Sequence, residues 1–598
     1  MPKQSANSQK IASLRNARND YLKLIIAATK IKTIKKGTLM KSRFSLLFIG
    51  FILISFCLLG FTPHNGSKSN SPATNPVNGK YRGAELITTA QLKDYLTFIA
   101  ADELEGRDTP SRGLNTAAKF IATNLSRWGV KPAGDNGTYF QRIALLKTTV
   151  DSAQSFLEIN GQHFRFGADF LVNTNAGAGT ASGPLVYVGH GSIFPKKNID
   201  AFQGLDVKGK IVVWTNEFPK GASNADYFGK EGEDWVDPIK YAAKNGALGV
   251  ISIARFQTLA NWEQTQKQAT VAGRLAVEKF QAENAEAAPK IPMIWLAPRA
   301  ATALLRGEKE NAGKVFNSAA AGEPVAAFEL SAEKKVTFTV VTRTEQLYTQ
   351  NVVGVLEGSD GGLKKEYVAL GAHYDHVGIG NPVNGDAIYN GADDDGSGTV
   401  SILAIAEAFA KGVRPKRSLL FVWHTGEEKG LWGSEYFVKY PTVPIDKIIA
   451  QLNIDMIGRS KKAGDTNRRN ENLSGPNEIY VVGSKMMSTT LGELSESVNK
   501  SYLNLSFNYK YDDPNDPNRF FFRSDHFNYA QKGIPIIFYF DGEHEDYHRV
   551  TDHVEKIDFE KMQKVARAVY AMAWELSSGM KRPAVDKKLP PELTRGTF

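Results

Sequence analysis

The chain has 598 residues and a formal net charge of +10, with 42% hydrophobic, 10% aromatic and 23% charged residues. Its length allows two to four domains with a sizeable core, and its composition excludes disordered, collagenous and polytopic membrane classes. Eleven Lys and Arg against the single acid Asp20 lie in residues 1–43, so the remaining 62 basic and 62 acidic residues balance. That balance removes the electrostatic footprint of a nucleic-acid-binding protein, and none is expected as a partner.

In chain order, residues 1–39 form a basic extension ahead of Met40, itself a candidate start. Residues 40–62 carry Lys41 and Arg43 before a charge-free apolar run from Phe44 to Phe61, the pattern of a signal peptide or membrane anchor. The run is only just long enough to span a bilayer, so cleavage and retention both stay open. A polar linker follows at 63–80. The body is accordingly expected to be exported: periplasmic, secreted or tethered on the outer side of an inner membrane. Cys57, the only cysteine, lies inside the apolar run. An exported body would then hold no disulfide and no thiolate, and any metal there must be bound through nitrogen and oxygen.

Residues 81–149 begin the main domain, where Leu114, Ala117, Ala118, Ile121, Ala122 and Leu125 recur at helical spacing before Gly129. From 150 to 335 short strand and turn patterns take over, including Lys210 to Trp214 and Gly249 to Ile253, which predicts an inserted β-rich module. Between 336 and 580 apolar strands alternate with helical stretches, and 581–598 is a C-terminal tail. This pattern predicts an α/β fold with a mostly parallel mixed sheet covered by helices on both faces. The strands Tyr367 to Leu370, Ser418 to Trp423, Lys447 to Leu452 and Ile534 to Phe540 are each followed by polar or acidic residues. In open α/β sheets ligands bind beyond the carboxyl ends of strands, so these four ends should converge on one site.

The residues at those ends are metal-binding types. His373 follows the first strand, with Asp375 placed to accept its second ring N–H as a supporting carboxylate. Asp393, Asp394 and Asp395 stand together before a helical stretch; one of them can cap the helix, but three adjacent carboxylates repel one another unless a cation sits among them. Glu427 and Glu428 end the second strand and can divide labour between a metal and its water. Asp455 ends a strand so apolar that the acid needs a partner. His548, with Asp552 nearby, repeats the histidine-plus-acid arrangement after the last strand.

The ordered set His-x-Asp, Gly-Ala-Asp-Asp-x-x-Ser-Gly, Glu-Glu-x-Gly-Leu-x-Gly-Ser, Asp-Met and Tyr-His-x-x-x-Asp resembles the M28 family of zinc peptidases. The resemblance implies a zinc-exopeptidase fold and two Zn2+ per chain. His373 and Asp455 would hold one ion, Glu428 and His548 the other, and Asp394 would bridge. It further implies Glu427 as general base, Tyr547 as an oxyanion donor, and peptides as substrates, hydrolysed from the amino end. The 150–335 segment, with Tyr187-Val-Gly189 and Gly204-Leu-Asp-Val-Lys-Gly-Lys210, is similar to a protease-associated domain. Carboxypeptidase action, for which Arg459, Arg523 and Arg549 are the available arginines, glutaminyl cyclase chemistry and a noncatalytic ectodomain are the alternatives. The polar stretches 461–476 and 511–519 are expected to line or cover the cleft.

Overall fold

The structure, a computed structural model, describes residues 79–283, 290–579 and 581–589. The basic extension, the apolar run at Phe44 to Phe61 and nearly all of the 63–80 linker lie outside the described residues. Among the described residues, no helix is long and apolar enough to cross a membrane.

The main sheet uses β1 (Phe140–Val150), β2 (Arg274–Val277), β3 (Thr342–Leu356), β4 (Tyr367–His373), β5 (Ser418–His424), β6 (Ile448–Ile454), β7 (Glu478–Val482), β8 (Ser506–Asn508) and β9 (Ile536–Phe540). Their spatial order is β2-β1-β3-β5-β4-β6-β9-β7-β8, with Lys131–Pro132 paired to β3 as a tenth strand. The four central strands β5, β4, β6 and β9 are mutually parallel. Towards the edges the pairing is antiparallel between β5, β3, β1 and β2 and between β9 and β7. The sheet is therefore mixed, as expected, with parallel pairing concentrated in the strands that deliver the site.

Helices α1 (Thr89–Ile99), α2 (Arg112–Arg127), α3 (Gly398–Lys411) and α7 (Phe559–Ser577) share one core with Leu419, Phe421 and Trp423 of β5. Leu420 and Val422 point to the opposite core, with Phe437 of α4 (Trp432–Lys439) and Phe527 of α6 (His526–Gln531). A fifth helix, α5 (Thr489–Ser501), packs through Leu491 and Val498 on the first core. Strand side chains alternate between faces, so a strand covered on both sides reads as an unbroken apolar run. The central strands end in polar side chains because the covered region ends there.

Between β1 and β3 the chain builds a six-stranded and a four-stranded sheet with their own apolar clusters. The strand Gly249–Ile253 is found where the pattern predicts it. The stretch is not confined to those sheets, however: β2 returns to pair with β1 on the edge of the main sheet, Val277 opposite Leu145.

Candidate metal centre

Parallel register sets His373 beside His424 at the ends of β4 and β5, and carries Asp455 to the same edge from β6. His373 Nε2 lies 3.3 Å from Asp394 Oδ1, 3.6 Å from Asp455 Oδ2 and 3.9 Å from Glu427 Oε2. His373 Nδ1 meets the Asp375 carbonyl at 3.1 Å. A carbonyl only accepts, so Nδ1 carries the proton and the Nε2 lone pair faces the acids. The expected carboxylate support is thus replaced: Asp375 Oδ1 stands 3.8 Å from Nδ1 and accepts the Glu427 N–H at 3.2 Å instead.

The three aspartates divide their work. Asp395 Oδ1 accepts the N–H of Gly398 at the start of α3 (2.8 Å) and of Met456 (3.2 Å), which ties the start of α3 to the end of β6. A Cβ at Gly398 would stand 2.3 Å from that carboxylate, so only glycine fits there. Asp393 Oδ1 accepts from Gly458 N at 2.7 Å. Asp394 makes no such helix contact and points into the cluster. Asp552 was expected to support His548; its Oδ2 instead accepts the N–H of Asp393 (3.0 Å) and of Asp394 (3.2 Å), holding the aspartate loop.

His548 Nε2 lies 3.1 Å from Asp394 Oδ2 and 3.0 Å from Glu428 Oε2. Ser524 Oγ donates to Asp455 Oδ2 at 2.7 Å and fixes that carboxylate. His548 (φ 52°) and Met456 (φ 54°) adopt left-handed backbone beside the site, at a cost of roughly 1–2 kcal/mol each. Tyr547 stacks on His548 at 4.0 Å, and Arg523, which can donate to the Tyr547 hydroxyl at 3.4 Å, pairs with Glu543 at 2.7 Å.

Two groups of convergent donors result. One comprises His373, Asp394 and Asp455; the other comprises His376, Asp394, Glu428 and His548. All five ligand positions named from the sequence come together with Asp394 common to both groups, and His376 joins them unannounced. Asp394 Oδ2, Glu428 Oε1 and both ring nitrogens of His376 are buried without a hydrogen-bond partner. Buried polar atoms are normally satisfied, so an orphaned set that faces inward fits a cation. Charge leads to the same answer. Asp375, Asp393, Asp394, Asp395, Asp455, Asp525, Asp541 and Asp552 are all buried, against the buried cations Arg107, Arg459 and Lys561. Nitrogen and oxygen donors of this kind suit zinc, manganese or cobalt.

The neighbouring glutamates respond oppositely to these surroundings. Burial pushes the Glu427 carboxyl well above its ordinary range; His373 opposes this, while Glu428 and Asp455 add to it. Glu428 is also buried and lies beside Asp394, yet His376 and His548 outweigh both and hold it down to about 2. Burial lowers the His548 pKa, but Asp394 and Glu428 raise it to about 10.

The adjoining cavity is lined by Met456, Phe520, Arg523, Phe538, Phe540, Glu543 and Tyr547, and neither 461–476 nor 511–519, expected to line or cover the cleft, contributes to that lining. Arg107 is the largest omission from the sequence reading. Wholly buried, it donates to the carbonyls of Tyr374 (2.9 Å), Asn390 (2.6 Å), Gly391 (2.9 Å) and Ile99 (2.7 Å), binding the His373 segment to the aspartate loop. No local sequence signal marks it, since its partners are backbone atoms far along the chain.

A mixed α/β sheet that delivers imidazoles and carboxylates from parallel strands to one edge defines an α/β domain with a candidate metal site. Residues 351–573 match the family described as peptidase family M28. Leucine aminopeptidase 2 of Arthroderma otae is 28% identical over 222 residues, covering 36% of this chain and 39% of that protein. A probable leucine aminopeptidase of Arthroderma benhamiae is 29% identical over 225 residues, covering 36% and 56%. The chain thus spans about two fifths to just over half of the length of these relatives. Among solved structures, an aminopeptidase from Aneurinibacillus sp. strain AM-1 superposes with a TM-score of 0.49 at 17% identity, covering 85% of this chain and 98% of that one. A zinc aminopeptidase from Bacillus subtilis gives 0.46 at 17% identity, covering 84% and 98%.

Proposed function

We propose that this protein is an exported zinc-dependent aminopeptidase that removes residues from the amino end of peptides. The observation that carries the reading is the pair of convergent donor groups sharing Asp394, with Glu427 beside them and an adjoining cavity that has one apolar wall. In this reading His373 and Asp455 hold one ion, Glu428 and His548 hold the other, and Asp394 serves both. Bound there, zinc would supply Lewis acidity to the scissile carbonyl and lower the pKa of the attacking water.

The chain's own residues do the rest. Glu427, whose carboxylate lines the cavity 3.9 Å from His373 Nε2, takes the proton of the attacking water and passes it to the leaving amine. Tyr547 is held by stacking on His548 and presents its hydroxyl towards the developing oxyanion. Met456, Phe520, Phe538 and Phe540 offer an apolar wall to the terminal side chain, in keeping with the leucine aminopeptidase names of the relatives. Glu427 gives the cavity an acidic group that suits a free ammonium, Glu543 being paired with Arg523. Carboxypeptidase action is less well served. Arg459 is buried against Asp546 at 2.9 Å, Arg549 is exposed, and Arg523 already faces Glu543. The 150–335 stretch is assigned as a protease-associated module and residues 40–62 as the export segment or tether.

The deciding experiment strips the protein of metal, reloads it with zinc, and compares peptides with free and blocked amino termini. Zinc-restored cleavage of the free-amine peptides alone is the expected result. Activity indifferent to chelation, or equal cleavage of blocked peptides, would overturn the reading.

A further inference from the structure

We infer that His376 is an additional ligand of the Glu428–His548 ion, so that three imidazoles rather than two serve the centre and its two sites are unequal. The inference rests on the proposed metal centre and deepens it. His376 is wholly buried, and its Nδ1 lies 2.7 Å from Glu428 Oε1 and 3.7 Å from Asp394 Oδ2. Despite the first distance, neither Nδ1 nor Glu428 Oε1 makes a hydrogen bond, because the ring does not align an N–H with the carboxylate. Two donors at contact distance, both buried and both unsatisfied, are what a shared cation leaves between its ligands. Atoms that each bind one zinc at about 2.0–2.1 Å stand roughly 3–3.4 Å apart, and the His376 and His548 contacts of 2.7, 3.0, 3.1 and 3.7 Å bracket that spacing.

The surrounding backbone is built to put the ring there. Arg107 O accepts the His376 N–H at 3.3 Å. Opposite, Gly391 takes a left-handed φ of 59°, and a Cβ on it would stand 2.6 Å from the His376 ring. Glycine at 391 lets the aspartate loop close onto the imidazole. His376 and His548 then face each other edge to face, their ring centres 5.6 Å apart, on either side of Glu428 and Asp394.

The chemistry of the two sites differs as a result. Four protein donors, two imidazoles and two carboxylates, surround the His376 site, whereas one imidazole and two carboxylates form the other. Closed four-ligand zinc sites hold their ion, while three-ligand sites keep a position open for water and substrate. The open position therefore belongs to the His373 ion, the one beside Glu427 at 3.9 Å, and the His376 site binds its ion more tightly.

Zinc X-ray absorption on the full-length protein tests this without reference to activity, because imidazole scattering counts histidines per ion. With one equivalent of zinc the wild type should show about two imidazoles per zinc, and with two equivalents about 1.5, three imidazoles being shared by two ions. His376→Ala should still bind two ions. It should show about one imidazole per zinc and weaken the tighter site at least tenfold in a chelator-competition titration, the scale expected even for loss of a supporting residue. About one imidazole per zinc at both loadings of the wild type, or an unchanged affinity in His376→Ala, would overturn the inference and leave the five-ligand centre standing. A wild type that binds no zinc would overturn the centre itself. The wild-type measurements are decisive even if the variant folds poorly.

Discussion

A single carboxylate oxygen of Asp552 grips Asp394, the residue common to both donor groups, by its backbone: Oδ2 accepts the Asp394 N–H at 3.2 Å and the Asp393 N–H at 3.0 Å. The contact crosses from the loop after β9 to the loop before α3, so the aspartate loop is placed by a residue 158 positions away. Asp552→Asn halves the acceptor capacity and removes the charge. Zinc affinity should fall by about 10- to 100-fold, the usual worth of groups that orient metal ligands. Chelator competition gives the number, and unchanged affinity would show that the loop holds its shape unaided.

Glu427 and Glu428 are adjacent but differ in their surroundings, and the proposed function makes the first the base and the second a ligand. Glu427→Gln keeps size and cannot accept a proton, so kcat should drop roughly 10²- to 10⁴-fold with zinc content near wild type. Glu428→Gln should instead lose zinc from one site, since a neutral amide is a poor ligand for a dication. Metal analysis paired with steady-state kinetics on both variants decides this, and the opposite pattern would reverse the two roles.

Arg107 keeps its charge in the core because its donors all find carbonyl acceptors. Burial lowers its pKa to about 10, against the pull of Asp375 and Asp394, which leaves it cationic at neutral pH. Arg107→Ala removes those hydrogen bonds and a countercharge to the buried acids, and should destabilise the fold by about 3–5 kcal/mol. Arg107→Lys should recover little, because an ammonium cannot present the planar fork. Urea unfolding of both variants checks the prediction; a loss below about 1 kcal/mol in Arg107→Ala would refute it.

His526 should set an acid limit on stability. Its ring stacks on Phe538 at 4.4 Å, and burial pushes its pKa from 6.5 down to about 3. The unfolded chain binds a proton below about pH 6.5 that the folded chain refuses until about pH 3. The neutral-histidine contribution is thus complete above pH 6.5 and is lost progressively as pH falls towards 3, by up to about 5 kcal/mol at about 1.4 kcal/mol per pH unit. His526→Phe should flatten the stability profile between pH 6 and 4 in denaturant titrations. A profile as steep as that of the wild type would mean that other groups carry the acid sensitivity.

What the sequence determined by itself was local: apolar runs long enough for covered strands, and the polar residues where those runs stop. His373, Glu428, Asp455 and His548 stood out because each comes after a strand whose side chains must be buried, and Asp394 because three adjacent carboxylates need a partner. The inserted stretch was legible from its change of period, yet the return of β2 to the main sheet was not, since edge pairing leaves no mark in four residues. Only the tertiary structure decided the direction of each donor. Asp375 has the right spacing to support His373, but the strand end turns its carbonyl, not its carboxylate, towards the ring. His376 lies within the same short motif and gave no signal of its own. Its ring meets Glu428, 52 residues further on, because β4 and β5 are parallel neighbours and their loops leave the sheet at the same edge. Register and loop path, set by packing across the whole sheet, determine which side chains come together at the donor groups.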